Sequence, residues 1–140
     1  MKKRTSAILI LAVCFMLLSS CNGGATGGTA TVVIDTETPS VYTVEFSEGD
    51  ITNGLLSLLD LLDIEYDISG GFLNGVGSLN PEPPTYIYIY SSVLADADVS
   101  SYATSTEYEG TTLYSVGFGA EELHIEDGAV IYISTITYSY

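Results

Sequence analysis

The sequence predicts an α+β domain in two layers, with one helix packed across a mostly antiparallel sheet. Two observations predict it. Short β-branched or alternating runs recur from residue 31 to residue 138, as strands with one dry face require. A single segment breaks that period: Leu55, Leu58, Leu59 and Leu62 follow the 3, 1, 3 spacing of one helix face. The order is strand, strand, helix, strand, an irregular stretch and then further strands, with no internal repeat.

Each element has its own warrant. Thr31-Val32-Val33-Ile34-Asp35 is short and β-branched, a first strand. Glu37-Thr38-Pro39-Ser40 turns the chain. Residues 41–47 alternate, with Tyr42, Val44 and Phe46 on one face and Thr43, Glu45 and Ser47 on the other, so the two strands should pair as a hairpin. Asp50 is placed to cap a helix within residues 51–63, whose many leucines suit it to lie on a sheet. The period returns to two at Ile64, Tyr66 and Ile68, a strand that Gly70-Gly71 ends. Residues 72–79 are Gly-laced and partly extended, and Asn80-Pro81-Glu82-Pro83-Pro84 is a stiff loop, unfit for a central strand. Thr85-Tyr86-Ile87-Tyr88-Ile89-Tyr90-Ser91 is the strongest strand, with isoleucines toward a dry face and tyrosines toward a half-wet one. Residues 93–101 are irregular. Residues 102–107 and 111–116 should form a hairpin around Glu109-Gly110. Residues 121–125 lead to an Asp127-Gly128 turn, and 130–138 form a long last strand.

Charge narrows the function classes. The 140 residues hold 18 Asp+Glu against 3 Lys+Arg, and those three cations are Lys2, Lys3 and Arg4. From Cys21 onward the chain has 18 acids, one His and no Lys or Arg, a formal charge of −18. Nucleic-acid binding, which needs cations to displace counterions from phosphates, is excluded. So are electrostatic adhesion to anionic lipid, Lys-based Schiff chemistry and Arg clamps. A hydrophobic content of 46% argues for a folded chain all the same, because disorder needs low hydropathy as well as charge.

The N-terminus implies export. Lys2-Lys3-Arg4 is a positive start, and residues 7–18 are an apolar run of signal-peptide length, short for a membrane span. The run ends in Leu18-Ser19-Ser20-Cys21, which resembles the bacterial lipoprotein signal: an aliphatic residue, two small residues and the Cys that takes lipid. The resemblance implies a signal peptide over 1–20 and a diacylglyceryl thioether on Cys21 after cleavage. Its acyl chains would hold the protein on the outer face of the cell membrane without a spanning helix. Cys14 lies within the signal, so the mature part would have no disulfide. Residues 21–30 read as a Gly-rich tether, whose nine residues after Cys21 have a root-mean-square reach of about 15–18 Å. The domain proper is then expected over 31–140.

Several segments in order resemble a known group. They are Glu48-Gly49-Asp50, Gly71-Phe72-Leu73-Asn74-Gly75-Val76-Gly77, the Thr85 strand, and the stretch from Glu109-Gly110 through Tyr114-Ser115-Val116-Gly117-Phe118-Gly119 to Asp127-Gly128. The group is the bacterial domain of unknown function related to the C-terminal domain of transcobalamin. The resemblance covers roughly residues 30 to 140 and implies a β-grasp-like, two-layer domain on a lipoprotein. Relatives often carry a Trp near the position of Tyr86 and an Asp at that of Ala129. The related transcobalamin domain helps cover cobalamin, but the resemblance assigns no ligand-contacting residue to this chain.

Candidate chemistry is sparse. Tyr86, Tyr88 and Tyr90 form a one-sided aromatic stripe, suited to contacting a ligand if it is open and to packing if the chain covers it. His124, between Leu123 and Ile125, could ligate a metal or act as a base, but it has no second His or Cys to join it and reads as a surface residue. Asp63, Glu65 and Asp67 could offer oxygens to Ca²⁺, yet their i, i+2 spacing sets them along the solvated face of one strand and Ile68 stands where an EF-hand loop needs Gly. Asp96-Ala97-Asp98 reads as an acidic loop with weak affinity for divalent ions. No spacing singles out an acid and a base, and no triad can be drawn. The expectation is therefore a lipid-anchored extracellular binding module, non-catalytic and without cofactor or metal. Its partners would be the membrane through Cys21 and an unidentified small molecule, glycan or envelope protein. The alternative is a structural or interaction protein of the envelope without a specific small ligand.

Overall fold

The first hairpin forms as the alternation requires. The computed structural model describes residues 27–139, so the signal peptide expected over 1–20 and Cys21, the expected lipid attachment site, lie outside the described residues. Strands β1 (Gly27–Ile34) and β2 (Ser40–Ser47) pair antiparallel, with Val44 and Phe46 buried while Thr43, Glu45 and Ser47 face solvent. The expected tether is shorter than its composition suggests. Gly27 and Gly28 sit opposite Ser47 and Phe46, and Thr29 donates its N–H to the Asp127 carboxylate at 2.9 Å. Glycine costs entropy in a strand but does not forbid one, and here β2 supplies a full-length partner.

The helix, α1, spans Leu55–Leu61, shorter than the expected 51–63. Gly54 sets its start, at φ 53° and ψ −126°, outside helical space. A Cβ there would lie 2.7 Å from the Ala120 carbonyl oxygen and 2.8 Å from the Leu123 nitrogen, so a side chain is excluded by both conformation and space. Asp50 does not cap α1. Its carboxylate accepts from the Ser47 N–H at 2.9 Å and closes a separate 3₁₀ turn over Glu48–Asp50. The buried Ser57 hydroxyl instead accepts from the Thr52 and Asn53 N–H groups. The C-terminus closes as a Schellman turn: Ile64 N–H reaches Leu59 C=O at 2.9 Å, Asp63 N–H reaches Asp60 C=O at 3.1 Å, and Asp63 takes φ 56°.

After α1, β3 (Tyr66–Ser69) and β4 (Phe72–Val76) make a separate two-stranded sheet around Gly70-Gly71. The Gly-laced segment is thus a real strand. The rest of the chain completes a six-stranded mixed sheet: β5 (Thr85–Ser91), β6 (Ser105–Tyr108), β7 (Thr111–Ser115) and β8 (Val130–Thr137), in the order β2-β1-β8-β5-β7-β6. Four of the five pairings are antiparallel. The fifth joins β1 and β8 in parallel, inside the sheet's edges, with Val32 opposite Ile131 and Ile34 opposite Ile133. The β6–β7 turn is Glu109-Gly110, with both residues at positive φ as a two-residue hairpin loop needs. Among the described residues this is an α+β architecture with one α-helix.

Burial sorts the two faces of the sheet. Val32, Ile34, Ile89, Ile131 and Ile133 form one core cluster with Leu55, Leu58 and Leu59 of α1. Each of those leucines is fully buried and contributes about 1.5–3 kcal/mol relative to exposure. The other face carries Val33, Tyr132 and Tyr90, which stand opposite one another across β1, β8 and β5. Val33 and Leu113 are sealed there under tyrosine rings: Tyr88, Tyr90, Tyr132 and Tyr108 stack in succession with centroids 5.2, 6.4 and 5.9 Å apart. Burial pushes the Tyr132 phenol above its usual value, and the Asp35 carboxylate beside it adds to the shift. Among the described residues no helix is long and apolar enough to cross a membrane.

Candidate functional site

The site begins where a ladder stops. Strand β5 pairs with β8 along its whole length, but with β7 only at Tyr90–Ser115 and Ser91–Tyr114. One more bond, from the Val116 N–H to the Ile89 C=O at 3.1 Å, ends that pairing. Beyond it the chain turns away through Gly117, Phe118 and Gly119. Residues 85–88 therefore have β8 on one side and no strand on the other. Peptide groups alternate in direction along a strand. Since the Ile89 carbonyl points to the β7 side, those of Ile87 point the same way, into the open edge.

A cavity of about 790 Å³ runs along that edge, within the range of small-molecule and peptide pockets. Five consecutive residues of β5, from Thr85 to Ile89, line it. Residues of both faces of the strand contribute, and Ile136 of β8, opposite Tyr86, joins them. The facing walls come from Phe72 and Leu73 on β4, from Pro81 and Pro83, and from Val116 and Phe118. Tyr138 closes one end, its ring 5.8 Å from that of Tyr86. Phe72 is 74% exposed, Phe118 48%, Tyr138 48% and Tyr86 42%, so four large apolar groups meet at one wet groove. A second hollow adjoins it, sharing Phe72, Val116 and Phe118 and bounded by Asp98, Glu121 and Glu122. The apolar groove thus opens toward carboxylates.

The tyrosine stripe divides. Tyr86 and Tyr88 line the groove, while Tyr90 is half-buried among Tyr88 and Tyr132 and does not line it. Reading β5 as a stripe found the strand but missed its edge, along with Phe72 and Phe118.

Asp96 was expected in an exposed acidic loop. It is instead fully buried, at 0% exposure, and its carboxylate accepts from the His124 N–H at 2.7 Å and contacts the His124 Nδ1 at 2.6 Å. The His124 side chain remains 69% exposed, and the hydrogen bond to Asp96 raises its pKa above the usual value. The Asp96 backbone carbonyl accepts from the Gly117 N–H at 2.9 Å. Asp96 therefore ties the segment holding His124 to the loop that carries Phe118. Asp63, Glu65 and Asp67 face solvent, but only Asp67 lies on the strand: Asp63 is in the helix-terminal turn and Glu65 precedes β3. Among the described residues no three His, Cys, Asp or Glu side chains gather closely enough to hold a metal ion.

No model of a known protein family matches the chain. No curated protein matches it in sequence either.

Proposed function

We infer that this protein is a lipid-anchored extracellular binding module, non-catalytic, whose ligand sits in the groove along β5. The observation that carries the reading is the groove itself: a preformed cavity bounded by exposed Phe72, Tyr86 and Phe118 that the chain's own residues leave open. The order β2-β1-β8-β5-β7-β6, with β1 and β8 parallel inside the sheet's edges and a helix after the first hairpin, supports a β-grasp-like reading of the fold. The Leu18-Ser19-Ser20-Cys21 box supports the anchor. The single His has Asp96 as its hydrogen-bonding partner and does not line the groove, so the described residues offer no nucleophile–base pair there.

The test is a thermal-shift panel of neutral apolar probes, cobalamins, cell-wall glycans and peptides. A ligand at 100 Kd adds about 2.7 kcal/mol of stability. Phe72→Ser and Tyr86→Ser should abolish the shift of any hit while leaving the unliganded melting temperature close to its original value, because both side chains are solvent-exposed. A panel without any hit favours the alternative, a structural protein of the envelope.

A further inference from the structure

The geometry points to an extended peptide with an apolar centre and basic flanks as the occupant of the groove, added to the open edge of β5 as a further strand. This rests on reading the groove as a binding site and names the class of its ligand. Four observations on different links of the chain support it.

The first is hydrogen bonding. Ile87 turns its N–H and C=O into the groove, and Val116 leaves the β5 edge after one bond to Ile89. The Thr85 N–H is held by the Glu82 C=O at 2.9 Å, so the Ile87 pair is the main anchor for the backbone of an incoming strand, and main-chain bonds to a sheet edge are a recurrent mode of peptide recognition. The second is length. Residues 85–88 offer an open edge of about 13 Å at 3.3–3.4 Å per residue, enough for a four-residue strand.

The third is the chemistry of the edge. Exposed edge strands carry charges that deter pairing with other chains. The outer strands of this sheet obey: β2 carries Glu45 and β6 carries Glu107. The open stretch of β5 is Thr85-Tyr86-Ile87-Tyr88, which carries no charge. Phe72 and Phe118, on the facing walls, offer apolar surface to alternate side chains of the guest.

The fourth is charge. The groove opens toward Asp98, Glu121 and Glu122, and the domain has no Lys or Arg to oppose them. A Lys or Arg at the end of the guest would be attracted there. An acidic peptide would be repelled, and so would a second copy of this chain.

The experiment is calorimetric titration of the purified protein with a Lys-Thr-Val-Phe-Val-Thr-Lys heptapeptide. Its comparators are the same peptide with Glu for Lys, and two versions N-methylated on one edge or the other. The Lys peptide should bind. Replacing Lys by Glu should weaken it roughly tenfold or more, with the difference shrinking at high salt. N-methylation should weaken binding about tenfold on one edge and leave it unchanged on the other, because only one edge meets β5. Phe72→Ser should abolish binding, and Glu121→Gln with Glu122→Gln should narrow the preference for Lys over Glu. Equal affinity for the Lys and Glu peptides, or indifference to N-methylation on both edges, would overturn the proposal. So would a dimer of the free protein that Phe72→Asp dissolves. The neutral dye Nile red separates this failure from that of the broader reading. If the dye binds wild type but not Phe72→Ser, and no peptide binds, the groove is a binding site for something other than a strand. If neither binds, both readings fall.

Discussion

Replacing Asp96 with Ala should release the segment that carries His124, while the Gly117 N–H keeps its backbone acceptor at residue 96. The carboxylate is fully buried and accepts the His124 N–H at 2.7 Å. A hydrogen bond to a charged acceptor contributes about 1.5–3 kcal/mol, and its loss leaves the amide without its acceptor. We therefore expect Asp96→Ala to cost about 2–3 kcal/mol, a fall in melting temperature of roughly 8–15 °C for a domain of this size. The His124 ring is largely exposed, and its contact with the same carboxylate is read better through pH than through energy. The folded state raises the His124 pKa. The stability linked to that shift is complete below the unfolded value of about 6.5 and declines as pH climbs through the folded value. Asp96→Ala removes the main cause, so the stability gap between wild type and variant should narrow as pH rises from about 6.5 through the raised folded value. Urea unfolding followed by circular dichroism measures the gap, and the titrations the two proteins share cancel in the difference. A variant within about 0.5 kcal/mol of wild type, or a gap that stays constant with pH, would refute the reasoning.

Other consequences follow from the backbone, the core and the charge. Asp63 holds the left-handed position of the Schellman turn at φ 56°, and Asp63→Gly should stabilise the domain by about 0.5–1 kcal/mol in denaturant titration. Gly54→Ala should do the opposite and more, by at least about 2 kcal/mol, since the new Cβ meets the Ala120 oxygen at 2.7 Å. Leu58→Ala, at the sealed helix–sheet interface, should cost about 2–5 kcal/mol with an unchanged denaturant slope. Raising salt from about 0.01 to 0.5 M should raise the melting temperature by screening a domain that has only like charges, and an unchanged value would contradict that.

What could be read from the sequence was local. The alternation in residues 41–47 placed Val44 and Phe46 inside correctly, Glu109-Gly110 specified its own hairpin, and the leucine spacing located the helix. The failures came from partners distant in the chain. Nothing in residues 130–138 announces that this strand lies parallel to β1 inside the sheet's edges, because pairing partners leave no mark on a β-branched run. The groove exists because β7 leaves β5 after two paired residues, a matter of how Gly117 and Gly119 redirect the chain. Asp96 reads as a surface acid until His124, 28 residues on, is brought to it. One error was avoidable. Asn53-Gly54 is a turn pair, and it cuts the helix short of the expected start.

The most direct test of strand addition at β5 is amide hydrogen exchange at Ile87 against Tyr88. The Tyr88 N–H is turned toward β8, and that of Ile87 toward the groove. In the free protein Ile87 should exchange fast and Tyr88 slowly. At saturation with the Lys-flanked heptapeptide, Ile87 should slow to the level of its neighbour while Tyr88 is unchanged. An Ile87 amide that is already slow without peptide, or still fast when the peptide is saturating, would contradict the account.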